Sequence, residues 1–129
     1  MSTKIRVLLI DDDVALTRSL KLNLEDSGRY DVGVINHPGQ VIEAAKRNPP
    51  DVVVLDVMMP AMDGAAVANA MLQEPTLAQV PVIFLTALVR KSEQEALREH
   101  RPARRYLGKP ASAQELEAAI AEVLATRAG

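Results

Sequence analysis

Three short apolar runs constrain this chain more than any other feature: Val7–Ile10, Val52–Leu55 and Val82–Leu85. Each is continuous rather than alternating, and rich in β-branched side chains. A strand with one wet face alternates apolar and polar residues. A continuous run therefore reads as a strand buried on both faces. None of the runs is long enough to cross a bilayer. Two weaker strand signals lie at Val32–Ile35 and around Arg105–Leu107. The only aromatic residues are Tyr30, Phe84 and Tyr106, yet 48% of the chain is apolar. The core must then be built from Val, Leu, Ile, Ala and Met, a mix that suits a parallel sheet covered by helices.

Helical patterns fill the gaps between these strands. Ala15, Leu16, Leu20 and Leu24 share one face, and Gly28 follows as a stop signal. Pro38 can open a second helix carrying Val41, Ile42 and Ala45, which Pro49-Pro50 ends. Ala66, Val67, Ala70 and Met71 suit a third, closed by Pro75. Ser92 with Glu95 has capping-box spacing for a fourth, and Ser112 with Glu115 repeats it for a fifth. Leu116, Ala119, Ile120, Val123 and Leu124 then trace an amphipathic stripe. Strand followed by helix, five times over, predicts an α/β protein with parallel strands and right-handed crossovers. The 129 residues fit one domain, with an ordered core over about residues 4–125 and a fraying tail.

Charge and composition exclude several roles. A net charge of −2 makes no general case for binding nucleic acid or a membrane. Arg98, His100, Arg101, Arg104 and Arg105 do cluster late in the chain. A solvated helix end is the plainer reading of that cluster, and a partner-binding patch the sharper one. The absence of cysteine excludes disulfides and thiolate chemistry, and fits a reducing cytoplasm. The opening Met1-Ser2-Thr3-Lys4 leads into a short apolar run and three aspartates, which is not a signal peptide.

The polar residues at the strand ends carry the chemistry. Asp11-Asp12-Asp13 ends the first strand, Asp56 the third and Thr86 the fourth, while Lys109 follows the fifth. In an open parallel sheet, ligands bind beyond the carboxyl ends of the strands, where strand order reverses. If the first and third strands are neighbours, three carboxylates converge there. Converging carboxylates repel one another, and a divalent cation with a preference for hard oxygen ligands relieves that repulsion. Mg2+ is the natural occupant. Asp13 can serve simply as a helix N-cap, a task that does not need three acids. Asp63-Gly64 is suited to turning the chain out of a turn-rich loop and into the third helix. Taken singly, Thr86 is ordinary strand-end polarity and Lys109 a surface lysine. Together with the acids they make a phosphoryl site. Asp56 would be the nucleophile, Lys109 and the metal the charge partners, and the Thr86 hydroxyl a hydrogen-bond donor.

With those residues in order, the sequence resembles the receiver family of two-component signalling, over essentially its whole length. The resemblance rests on Val7-Leu8-Leu9-Ile10-Asp11-Asp12-Asp13, on Val54-Leu55-Asp56 with the segment to Asp63-Gly64, on Pro81-Val82-Ile83-Phe84-Leu85-Thr86-Ala87, and on Tyr106-Leu107-Gly108-Lys109-Pro110. It implies a doubly wound, flavodoxin-like (βα)5 fold with a sheet of order 2-1-3-4-5 and helices on both faces. It implies Asp56 as phosphoacceptor, Asp11 and Asp12 as the acidic pair, and Mg2+ held by Asp11, Asp12, Asp56 and the backbone carbonyl of Met58. Thr86 and Tyr106 would be the switch pair, Lys109 the charge partner, and Lys109-Pro110 the place of a cis peptide. The implied partners are a histidine kinase or histidine phosphotransfer protein, and a downstream protein that reads the surface of the fourth helix, fifth strand and fifth helix. A phosphorylation-dependent homodimer is one form such a reader takes, although no particular dimer mode carries over. The protein would be a signalling switch and not an enzyme, catalysing only its own phosphorylation and dephosphorylation.

Two departures fall near that output surface: Arg101-Pro102-Ala103-Arg104-Arg105 ahead of Tyr106, and Ala111 where the family often has Phe. The apolar Met58 and Leu88 should flank the acyl phosphate and give attacking water no hydrogen-bonding help, so self-hydrolysis should be slow. Polar replacements at both positions should speed dephosphorylation, and an unchanged rate would sink the idea. A haloacid dehalogenase-like phosphatase is the enzyme alternative, since Asp11-Asp12-Asp13 resembles its Asp-x-Asp opening. Ala15 stands where that family has Thr or Val, and its late acidic pair is missing. Turnover of a small phosphate ester, lost on mutating Asp11 rather than Asp56, would favour it. The remaining alternatives are a phosphorylation-independent receiver-like interaction module and a flavin-binding protein of similar topology. The full acidic and Lys set speaks against the first. Against the second stand the few aromatics of the chain and the absence of a hydroxyl- and Gly-rich phosphate loop after the first strand.

Overall fold

A computed structural model describes residues 4–56, 58–59, 62–86, 104–108 and 111–128. In chain order, β1 (Ile5–Ile10) is followed by α1 (Val14–Glu25), β2 (Tyr30–Ile35), α2 (Val41–Arg47) and β3 (Val52–Asp56). Two short strands come next, β4 (Met58–Met59) and β5 (Met62–Asp63), and then α3 (Gly64–Leu72). The chain continues through β6 (Val82–Thr86) and β7 (Arg104–Gly108) to the last helix, α4 (Ala113–Ala128). Five strands form one parallel sheet of order β2-β1-β3-β6-β7, which is the expected 2-1-3-4-5 topology. The fourth helix expected around Ser92 and Glu95 lies outside the described residues, so α4 is the fifth helix of the sequence reading.

The continuous apolar runs have a direct cause. Side chains alternate across a strand, and both faces of this sheet are covered. Val52 and Val54 pack on one side with Leu20, Leu24, Leu116 and Ile120 from α1 and α4. Val53 and Leu55 pack on the other with Val41, Ala45, Val67 and Met71 from α2 and α3. Burying a Val or Leu side chain is worth about 1.5–3 kcal/mol, so a polar residue anywhere in the run would be costly.

The helix ends follow their signals. Asp13 is the N-cap of α1, its carboxylate accepting from the Leu16 amide at 3.0 Å. Ser112 and Glu115 form the reciprocal box at the head of α4, each side chain accepting from the other's amide at 3.1 Å. Gly28 has φ +78, the left-handed conformation that ends α1 and that a Cβ would strain. A 3-10 turn at Pro38–Gln40 leads into α2.

Three sequence expectations need correction. Ala15 is exposed, and Thr17 is buried in α1 with Leu20 and Leu24. On α3, Ala66 and Ala70 are exposed while Ala68 is buried beside Val67 and Met71. Small residues mark a face weakly, so neighbouring layers decide which alanine goes inside. The segment after Asp56, read as a loop, holds a two-residue antiparallel ladder, Met58 opposite Asp63 and Met59 opposite Met62. Strands this short leave no periodic pattern to read.

At Val32, side chains of α1 cover the outer edge of the sheet. The Val32 amide donates to Glu25 Oε2 at 3.1 Å, and Lys21 Nζ donates to the Val32 carbonyl at 2.6 Å. Two side chains thus take the place of a neighbouring strand on an edge that would otherwise invite pairing with another chain. The Val32 amide holds the Glu25 carboxyl below its ordinary value of 4.5, against an upward push from burial and with help from Lys21. A carboxyl lowered on folding adds stability above its unfolded value and loses it as pH falls through the folded one. Glu25→Gln should therefore melt lower than wild type at neutral pH, by roughly 2–4 °C because solvent screens the pair. The gap should close as the pH drops below 4.5. A gap that stays constant down to strong acid would show that the carboxylate charge does not matter there.

Among the described residues, no helix is long and apolar enough to cross a membrane.

Candidate functional site

The sheet register brings the polar strand ends together. Ile35, Ile10, Leu55, Phe84 and Tyr106 stand opposite one another across all five strands. One step further along lie Asn36, Asp11 and Asp56, with Asp56 opposite Leu85. Another step brings Thr86, opposite Gly108. The apolar layer thus ends along one row at the centre of the sheet. Strand order reverses there: β1 is followed outward by β2 on one side and by β3 on the other.

Oxygen atoms of Asp11, Asp12 and Asp56 all lie within 4.8 Å of one another. Asp11 and Asp56 are only 3% and 5% exposed, while Asp12 faces solvent. Three hard anionic donors at this spacing suit a small divalent cation with oxygen preference. They suit a soft thiophilic metal poorly, and the chain has no cysteine to offer one. The exposed Asp12 leaves the cluster open to solvent on one side.

Local hydrogen bonds fix the acids in place. Asp11 Oδ1 accepts from the Asp13 amide at 2.9 Å, folding the triplet into a tight turn ahead of α1. Asp13 spends its own carboxylate on capping, so it stands apart from the metal-ligand cluster. The Asp11 amide donates to the Ile35 carbonyl at 3.2 Å, extending the β1–β2 ladder.

Two contributors escaped the sequence reading. Asn36 Nδ2 donates to the Asp11 carbonyl at 2.7 Å and to Thr17 Oγ1 at 3.1 Å. Thr17, 2% exposed, is buried beneath the triplet. A polar pair at the end of β2 and one turn into α1 was the available signal. Neither residue belongs to a spacing motif, so the signal was easy to pass over.

The other expected site residues are placed only in part. Thr86 closes β6, Met58 lies in β4, and Tyr106 sits mid-β7 opposite Phe84. Lys109 and Pro110 come directly after β7 and lie outside the described residues, as do Ala87, Leu88, Arg98, His100 and Arg101. Within the Arg-rich segment, Arg105 forms an ion pair with Glu122 of α4 at 3.1 Å.

Comparison with known proteins points the same way. Residues 7–121 match the model of the response regulator receiver domain. The chain is 38% identical over 119 residues to the response regulator MprA of Mycobacterium leprae, covering 92% of this chain and 50% of that protein. It is 33% identical over 121 residues to the alkaline phosphatase synthesis transcriptional regulatory protein PhoP of Bacillus subtilis, covering 92% of this chain and 48% of that protein. The chain spans about half the length of these curated relatives. Among solved structures, the receiver domain of a Francisella response regulator superimposes with a TM-score of 0.79 at 29% identity, covering 95% of this chain and 98% of that one. The chemotaxis protein CheY4 of Vibrio cholerae shares the fold, with a TM-score of 0.83 at 23% identity, covering 94% of this chain and 99% of that one. Phosphorylation-dependent switching is the general function of such domains, which work with histidine kinases and downstream effectors as signalling parts rather than as enzymes. Sheet order, the acid cluster at its switch point and these likenesses lead to one conclusion: the chain belongs to the response regulator receiver domain family.

Proposed function

We propose that this chain is a single receiver domain in which Asp56 accepts a phosphoryl group from a histidine kinase or a histidine phosphotransfer protein. The observation that carries this reading is the convergence of Asp11, Asp12 and Asp56 at the carboxyl edge of the sheet. An Asp56 carboxylate oxygen attacks phosphorus in line as the P–N bond of the donor phosphohistidine breaks. The imidazole leaves with the bonding pair, and Asp56 becomes an acyl phosphate. Asp11, Asp12, Asp56 and the Met58 backbone carbonyl would hold Mg2+. That ion would supply positive charge to the phosphoryl oxygens. Lys109 would add a second positive charge, and the Thr86 hydroxyl one hydrogen bond.

The acyl phosphate brings nearly two negative charges and three acceptor oxygens to the end of β3. Thr86 moves toward them, and Tyr106 turns into the space beside β7. The register supports such coupling, because Thr86 and Tyr106 lie two residues apart on paired strands. A downstream protein, or a second copy of the chain, then reads the altered surface of β7, α4 and the fourth helix expected from the sequence around Ser92 and Glu95. The cysteine-free composition suits the cytoplasm as the place of this exchange.

Acetyl phosphate, with and without Mg2+, tests the reading. Intact mass should show one Mg2+-dependent phosphate adduct, and NMR shift mapping should show changes spreading from Asp56 to β7 and α4. No adduct under any condition would leave the phosphorylation-independent interaction module as the better account. An adduct with no change beyond the acid cluster would remove the switch.

A further inference from the structure

Asn36 uses both of its amide hydrogens within one small network. One goes to the main-chain carbonyl of Asp11 at 2.7 Å, the other to Thr17 Oγ1 at 3.1 Å. The reverse amide orientation would set two carbonyl oxygens against each other at 2.7 Å, so the donor assignment follows from the geometry. Thr17 Oγ1 lies in turn 3.2 Å from the Asp13 carbonyl and 3.1 Å from that of Val14, to which it donates. Asn36 thereby ties the end of β2 to the end of β1 and to the first turn of α1. The bonded carbonyl belongs to the Asp11–Asp12 peptide. Its orientation determines where both acidic side chains leave the backbone.

We infer that Asn36 and Thr17 are positioning residues for the metal-binding acids, holding the Asp11–Asp12 peptide in the orientation that brings both carboxylates toward Asp56. The inference rests on the proposed Mg2+ site. Groups that orient metal ligands from behind typically cost 10–100-fold in metal affinity when removed. Asn36→Leu keeps the size of the side chain and removes both donors. Thr17→Val keeps the shape and removes the hydroxyl that receives one of them. Thr17→Ser keeps the hydroxyl.

Mg2+ titration by calorimetry, on the intact protein without phosphodonor, separates positioning from mere packing. Asn36→Leu should weaken Mg2+ binding by about tenfold or more, and Thr17→Val by several-fold. Thr17→Ser should return close to the wild-type affinity. Melting temperatures in EDTA report stability alone and should not follow that order. If Asn36→Leu fails to fold, the Thr17→Val and Thr17→Ser pair decides. Wild-type affinity in folded Asn36→Leu, or equal affinities for Thr17→Val and Thr17→Ser, would overturn the positioning role while leaving the metal site standing. Wild-type protein that binds no Mg2+ would instead remove the metal site, and this inference with it.

Discussion

Asp56→Ala should give no phosphate adduct at all, at any Mg2+ or acetyl phosphate concentration, while remaining folded. The carboxylate is the proposed nucleophile, so its loss removes the only atom to which phosphorus would bond. The stability of this variant makes the test more discriminating. Asp56 is nearly buried within 4.8 Å of two other carboxylates. Like charges at that separation oppose folding when no cation is present. Removing one should leave the melting temperature in EDTA unchanged or raise it. Loss of the adduct together with an intact or higher melting temperature, and a wild-type adduct that maps to the peptide carrying Asp56, identify the acceptor and separate that role from metal binding. An adduct that persists in Asp56→Ala would move the acceptor to another side chain. Lys109→Ala provides a graded comparison. Removing one preorganised charge partner typically costs about 10²–10³ in rate, so an adduct should still form, only slowly. A Lys109→Ala protein phosphorylated at the wild-type rate would show that Lys109 takes no part.

Phe84→Ala should be the most destabilising single truncation in the sheet. Phe84 is the only phenylalanine of the chain and is 2% exposed. It stands between Leu55 of β3 and Tyr106 of β7, on the side packed by Val67 and Met71 of α3. Truncating a buried Phe to Ala costs about 3–5 kcal/mol, through lost burial and the cavity left behind. Domains of this size hold only about 5–15 kcal/mol in total. Urea titration should show a large fall in midpoint with little change in slope. A loss below about 1 kcal/mol would mean that this layer is loosely packed, against the burial of its neighbours. Because Leu85 and Thr86 follow Phe84 directly, the variant should also phosphorylate less efficiently at temperatures where it is still folded.

The sheet was open to reading from sequence because its central strands are buried on both faces. Burial on two sides forces an uninterrupted apolar run, and few other structures leave that mark. The caps were readable for a similar reason: an N-cap needs an oxygen at one defined position, and Asp13 and the Ser112–Glu115 pair supply it. The weak places were those where several residues satisfy the same local rule. Ala66, Ala68 and Ala70 are equivalent in propensity, and only the layer beneath α3 chose Ala68. The two-residue strands β4 and β5 lie below the length at which a period exists.

The same division runs through the site. Sequence alone determined which residue types end the strands, because a strand that leaves an apolar core must turn polar where it meets water. It thereby determined that Asp11, Asp12, Asp56 and Thr86 stand at one edge of the sheet. What brought three carboxylates to within 4.8 Å was the pairing of β1 with β3 in a register that sets Ile10 beside Leu55. Register is a long-range choice, made by two packed helical layers at once, and no local pattern encodes it. Tertiary structure alone also recruited Asn36 and Thr17. Their hydrogen bonds join residues 25 and 19 positions apart in the chain, and such partners meet only after β2 has come to lie beside β1.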